Sequence, residues 1–181
     1  MFRLTRFAIP AVVFLIMMFF LWRSLNVDPH LIPSVLIDRP VPQFNLPTLA
    51  NEQKNMSEQD LFGHISVLNV WASWCSACRN EHVFLQNLSR DPRIKLYGLN
   101  YKDDPVMAKK WLQQLGNPYE TIAVDSEGKT AIDFGIYGTP ETFIIDQQGK
   151  IRYRHVGEIN AAVMDHEIMP LIARLQQDEA V

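Results

Sequence analysis

Ile65-Ser66-Val67-Leu68-Asn69-Val70-Trp71-Ala72-Ser73-Trp74-Cys75-Ser76-Ala77-Cys78 is the stretch that decides the fold. Its first eight residues are apolar and β-branched enough for a strand buried on both faces. After the cysteines, Cys78, Glu81, Leu85 and Leu88 recur at steps of three and four, the stripe of an amphipathic helix. A strand, a turn and a helix start therefore present two cysteines in succession. Cys75 stands at the turn, and Cys78 lies one helical turn along on the inward stripe.

These are the only two cysteines in 181 residues. A disulfide-stapled secreted scaffold needs more of them, at wider spacing. A bridge across Ser76-Ala77 closes almost no loop and constrains the unfolded chain little, so the pair reads as chemistry. Thiol–disulfide exchange requires an attacking thiolate, a second thiol that resolves the mixed disulfide, and access for a partner's sulfur. At a helix start, unpaired N–H groups and the positive end of the dipole favour the thiolate of Cys75. Cys75 is thus the expected nucleophile and Cys78 the shielded, resolving thiol. A zinc site would need four ligands, and neither a second CxxC nor an HxxxH-type pair occurs among the five histidines. Two thiolates suffice for Cu(I), but nothing else in the sequence asks for it. The expectation is no metal, and no cofactor beyond a redox-active Cys75–Cys78 disulfide.

Working outward, Lys95 to Tyr101 is a second strand, and Asp103-Asp104-Pro105 offers an N-cap acid with a first-turn proline. Ala108, Trp111, Leu112 and Leu115 mark the next helical face, ended by Gly116. Strand and helix in alternation imply a parallel sheet. Ile122 to Val124 is a further strand candidate, and Thr142–Ile145 and Ile151–Arg154 flank Gln147-Gln148-Gly149 as a hairpin. Asn160 caps a last helix with the stripe Met164, Ile168, Leu171, Leu175 and a kink at Pro170. Pro42 to Pro47 alternates between prolines as a short edge strand, so the domain begins near residue 41. The class is α/β: a central mixed sheet flanked by helices, with one core.

The formal charge of -3, without Lys/Arg runs, excludes a nucleic-acid footprint. Phe7 to Trp22 carries no charge and follows Arg3 and Arg6, while Leu21-Trp22-Arg23-Ser24-Leu25 lacks a small-residue cleavage site. A retained single-pass anchor is expected, with residues 1–6 cytoplasmic, 7–22 spanning, 23–40 a linker containing Pro29, Pro33 and Pro40, and 41–181 the domain. The positive-inside rule then puts the domain outside the cytoplasm. The alternative is an apolar terminal helix packed on the domain.

Asn69 to Cys78 resembles the active-site segment of thioredoxin-like proteins, and Gly138-Thr139-Pro140 the loop bearing their cis-proline. Cys78-Arg79-Asn80-Glu81-His82, Gly98 to Asp104, Gly116-Asn117-Pro118-Tyr119, Gly135 to Phe143 and Ile151 to His155 are similar to the thiol:disulfide interchange proteins of cytochrome c maturation. The resemblance runs from about residue 40 to the C-terminus and includes the anchor. It implies a thioredoxin-like fold and an inner-membrane, periplasm-facing reductant. It further implies recharging by a membrane dithiol donor, with apocytochrome c or its haem-ligation machinery as partner. Three departures stand out. Ser76-Ala77 lacks the proline common between these cysteines, Ile136 replaces a common valine, and Asn69 stands where cytosolic thioredoxins carry a buried aspartate.

With Asn69 unable to exchange a proton, Glu81 and Glu141 are the candidate acids. Glu81 lies on the Cys78 stripe, and Glu141 follows Pro140; the bland alternatives are an exposed helix glutamate and a strand-end surface charge. Trp74, Thr139 and Pro140 are expected on the active-site surface, and Thr139-Pro140 is expected to be cis, leaving backbone free to pair with an extended peptide. Trp71 and Trp111 read as core, and Arg152, Arg154 and His155 as solvated strand ends. Other functions compete: a general extracytoplasmic reductase or oxidase, a peroxiredoxin-type peroxidase and a non-redox assembly adaptor. The peroxidase expects Thr-x-x-Cys, and residue 72 is alanine.

Overall fold

The computed structural model describes residues 2–25 and 36–179. The first unit holds α1 (Phe2–Leu25), in which the apolar side chains from Ile9 to Trp22 are exposed. Side chains of α1 are described only from Ile9 to Arg23, and among the described residues no helix is long and apolar enough to cross a membrane. Residues 26–35 of the expected linker lie outside the described residues.

In the second unit, β1 (Asn45–Pro47) and β2 (Asn55–Ser57) form a small antiparallel pair. The expected edge strand over 42–47 is thus shortened to three residues and stands outside the main sheet. That sheet is built around β3 (Ile65–Trp71), buried at every residue, as its apolar run requires. β4 (Ile94–Tyr101) pairs parallel with β3, and β5 (Thr121–Asp125) parallel with β4. On the other side of β3, β6 (Glu141–Ile145) and β7 (Ile151–Val156) run antiparallel, giving the mixed order β5-β4-β3-β6-β7. The parallel crossovers carry α2 (Ser76–Leu88) and α3 (Pro105–Leu115), and α4 (Lys129–Asp133) precedes β6.

Alternation along β3 divides the core. Ile65, Val67 and Trp71 pack with Cys78, Leu85 and Trp111 on the face covered by α2 and α3, while Leu68 and Val70 pack with Phe44, Met56 and Phe134. Asn69, between Val67 and Trp71, faces the α2 side by the same period.

The C-terminal helix departs from expectation. Asn160 Oδ1 does accept from Val163 N–H at 3.0 Å, capping α5 (Ala161–Val163). Instead of a simple kink at Pro170, a π-helical segment (Met164–Ile168) intervenes before α6 (Met169–Glu179). A wider turn there accommodates a proline ring that would otherwise clash one turn back and that offers no N–H.

Candidate active site

β3 ends at Trp71, and four residues later Cys75 caps α2 with extended backbone. Its Sγ accepts from Cys78 N–H at 3.1 Å, so the sulfur stands where the helix offers its free N–H groups. Cys75 and Cys78 form a disulfide, Cα to Cα 5.4 Å: this is the oxidised state. Cys75 is 6% exposed and Cys78 1%, the expected order, but Cys75 barely surfaces. Trp74, at 59%, carries the exposed area of the turn.

The turn is braced from β4. Asp103 accepts from Ser73 N–H (2.6 Å), Ser73 Oγ (2.7 Å) and Asn100 Nδ2 (2.9 Å), and Trp74 Nε1 donates to Lys102 O (3.1 Å). Asp104 alone caps α3, accepting from Val106 and Met107 N–H. Sequence reasoning missed this role for Asp103; the signal was a second acid where one cap suffices.

Thr139-Pro140 is cis, as the resemblance implied. Because Val70 lies opposite Glu141, the proline loop sits at the sheet end from which the cysteine turn leaves. Glu141 is buried, not a surface charge, and both its oxygens are taken: Oε1 accepts from Tyr137 N–H (2.9 Å) and Oε2 meets Arg154 Nη2 (2.7 Å) and Nε (2.8 Å). Arg154 also donates to Gly135 O (2.8 Å) and lies against the Tyr137 and Phe143 rings. The expectation of a solvated strand end therefore fails for Arg154, whose side chain is only 6% exposed. Together Glu141 and Arg154 fasten residues 135–141, the loop carrying Tyr137, Thr139 and Pro140. Arg152 keeps more solvent contact while pairing with Asp146 (2.6 Å) and Asp38 (2.7 Å).

Glu81 is fully buried. Oε1 accepts from Asn69 Nδ2 (2.8 Å) and Oε2 from Ile159 N–H (2.9 Å). Burial pushes its carboxyl from an ordinary value of 4.5 up to about 7, against the two hydrogen bonds that favour the anion; Glu158 adds a smaller upward push. An acid that exchanges its proton near neutrality thus shares the inward stripe of α2 with Cys78. Next to it, His82 is buried against Trp111 with Nε2 on Gly116 O (3.1 Å), and burial lowers its pKa. Among the described residues, no group of three or more His, Cys, Asp or Glu side chains is placed to hold a metal ion.

The raised value has a stability consequence. Between pH 4.5 and about 7 the folded chain holds a proton that the unfolded chain has released, so stability falls as pH rises through that window and the loss is complete above it. The term amounts to about 3 kcal/mol. Glu81→Gln is expected to remove this slope: in urea unfolding at pH 4 and pH 8, the wild type should lose about 3 kcal/mol more than the variant. Equal losses would mean that Glu81 titrates as an ordinary solvated acid.

Comparison with known proteins adds sequence and structural relatives. The Redoxin family model matches residues 37–168. The chain is 43% identical over 171 residues to the thiol:disulfide interchange protein DsbE of Allochromatium vinosum, covering 94% of each chain. It is 43% identical over 178 residues to the protein of the same name from Escherichia coli K12, covering 95% of this chain and 96% of that one. Among solved structures, one described as a thiol:disulfide interchange protein DsbE from Chlorobium tepidum superposes with a TM-score of 0.63 at 29% identity, over 75% of this chain and 95% of that chain.

Proposed function

We propose a function from this premise: the chain belongs to the redoxin family, is similar over nearly its whole length to DsbE-type interchange proteins, and is a thiol:disulfide oxidoreductase. It acts as a reductant of partner disulfides. The Cys75 thiolate attacks one sulfur of the partner disulfide, and the other leaves as a thiolate that takes up a proton. Cys78 passes its proton toward Glu81 and attacks Cys75 Sγ. The partner's second sulfur then leaves and is protonated, and the Cys75–Cys78 disulfide forms. Two electrons move from the protein's dithiol to the partner, and a membrane dithiol donor later returns them. The observation that carries this reading is the Cys75 Sγ at the cap of α2, with Cys78 and the buried, readily protonated Glu81 following on one helical stripe. Trp74, Thr139 and Pro140 form the surface on which the partner lies, and the Glu141–Arg154 pair holds the loop behind it.

The partner is the haem-binding cysteine pair of apocytochrome c, or an assembly factor that handles it. Support comes from the resemblance of the segments around Glu81, Tyr119 and Gly135 to Phe143 to interchange proteins of cytochrome c maturation. The protein is anchored in the inner membrane by the charge-free run from Phe7 to Trp22, N-terminus in the cytoplasm and domain in the periplasm. Tethering raises the effective concentration beside membrane-bound partners. Ser76-Ala77, lacking the usual proline, favours one second reading, a general extracytoplasmic reductase or oxidase of different redox poise.

One labelling experiment tests direction and topology together. A membrane-impermeant thiol reagent applied to intact spheroplasts should modify Cys75, the less buried thiol, without prior reduction, because a reductant is held reduced at steady state. Protection that persists after chemical reduction would place the domain in the cytoplasm, and labelling only after reduction would make the protein an oxidase.

A further inference from the structure

Asn69 occupies the middle of β3 with no solvent exposure, and its amide is saturated. Nδ2 donates to Glu81 Oε1 (2.8 Å) and Thr142 Oγ1 (3.0 Å), and Oδ1 accepts from Tyr119 Oη (2.8 Å). Tyr119 comes from the segment between α3 and β5, where its N–H donates to Asn117 Oδ1 at 3.0 Å. Its ring stacks on Trp71, centroids 5.7 Å apart and 11° between planes. Gly98 makes room for that pair: a Cβ there would stand 2.8 Å from Trp71 Nε1 and 3.3 Å from Tyr119 Cδ1. A buried hydroxyl has thus been carried through the core onto the amide that contacts the acid beside the cysteines.

We propose that Tyr119 is a positioning residue, which by donating to Asn69 Oδ1 fixes the amide with Nδ2 on Glu81 and so governs how readily Glu81 exchanges its proton with the resolving thiol. This rests on the reading of Glu81 as the proton-transfer group. With the amide so held, each Glu81 oxygen accepts one N–H, from Asn69 and from Ile159. Reversing the amide would set Oδ1 against the carboxylate. Donation into Oδ1 also polarises the amide and strengthens its N–H bonds, an effect amplified where water is excluded. The groups facing Glu81 are few. Glu158 and the Ile159 N–H act from the segment after β7, Tyr119 from the segment before β5, and Asn69 from the sheet, while Cys78 lies on the same stripe of α2. Of the two side chains besides Glu81 that bond the Asn69 amide, Thr142 accepts from Nδ2 and Tyr119 donates into Oδ1, so it is Tyr119 that fixes which way the amide faces.

Tyr119→Phe keeps the stacked ring and removes only the hydroxyl. Observed by 13C NMR of the Glu81 carboxyl in the oxidised protein, the titration midpoint should rise by about half a pH unit, a roughly threefold change in dissociation. The pH profile for resolution of a mixed disulfide with a model peptide should shift in the same direction, and the shift should vanish when Tyr119→Phe is combined with Glu81→Gln. An unmoved carboxyl midpoint overturns the positioning role. Equal slowing by Tyr119→Phe with and without Glu81 assigns the hydroxyl to packing and overturns it as well. If the midpoint moves while Glu81→Gln leaves resolution unchanged, the reading of Glu81 falls instead, and with it the functional half of the proposal.

Discussion

Cys78→Ser is expected to accumulate a covalent adduct between Cys75 and its partner, whereas Cys75→Ser traps little and loses exchange activity altogether. The asymmetry follows from placement. Cys75 Sγ sits at the cap of α2, beside the exposed Trp74 and at the sheet end shared with the cis-proline loop, while Cys78 is one turn deeper in the core. A partner sulfur is therefore expected to meet the first. Once the mixed disulfide has formed, release requires a second thiol within reach, and serine cannot supply it. Non-reducing electrophoresis of both variants, with mass spectrometry of the adducts, reads the result. A species joined through a haem-binding cysteine supports the proposed partner, and adducts spread over many secreted proteins support a general oxidoreductase. Equal trapping by both variants would reverse the assigned roles.

Arg154→Ala is expected to be strongly destabilising although it lies away from the cysteines. It strips the counter-charge from Glu141, a carboxylate 1% exposed whose remaining donor is Tyr137 N–H. Breaking such a pair from one side costs about 3–5 kcal/mol, a large share of the 5–15 kcal/mol that holds a typical domain together. Adding Glu141→Gln to Arg154→Ala should recover part of the loss, because the orphaned charge disappears with it. Urea unfolding of the two variants measures both numbers. A loss below about 1 kcal/mol for Arg154→Ala would mean that the pair behaves as a solvated surface bridge.

Residues 152 and 154 show why part of the site could not be read in advance. The local sequence Arg152-Tyr153-Arg154 puts two arginines on one face of β7, two residues apart, and treats them alike. The sheet does not. Arg154 lies opposite Phe143 in register and reaches Glu141, whereas Arg152, with its side chain 35% exposed, reaches Asp146 and Asp38. Glu141 itself was legible as a candidate near the cysteines, but its partner was not.

The strand-turn-helix around Cys75, an N-cap acid ahead of Pro105, the cap at Asn160 and the mixed sheet were determined by the sequence alone. Each depends on periodicity or on groups a few residues apart, where backbone geometry leaves few alternatives. Tertiary structure alone decided the proton affinity of Glu81 and the fastening of the proline loop. Burial raises the proton affinity of Glu81 and is opposed by hydrogen bonds from Asn69, 12 residues away, and Ile159, 78 away, while the Asn69 amide accepts from Tyr119 at a separation of 50. Packing of α2 and two connecting segments against β3 brings these groups together and removes water from around them. Burial and a distant partner set the energy of a charge, and neither is written in the residues beside it.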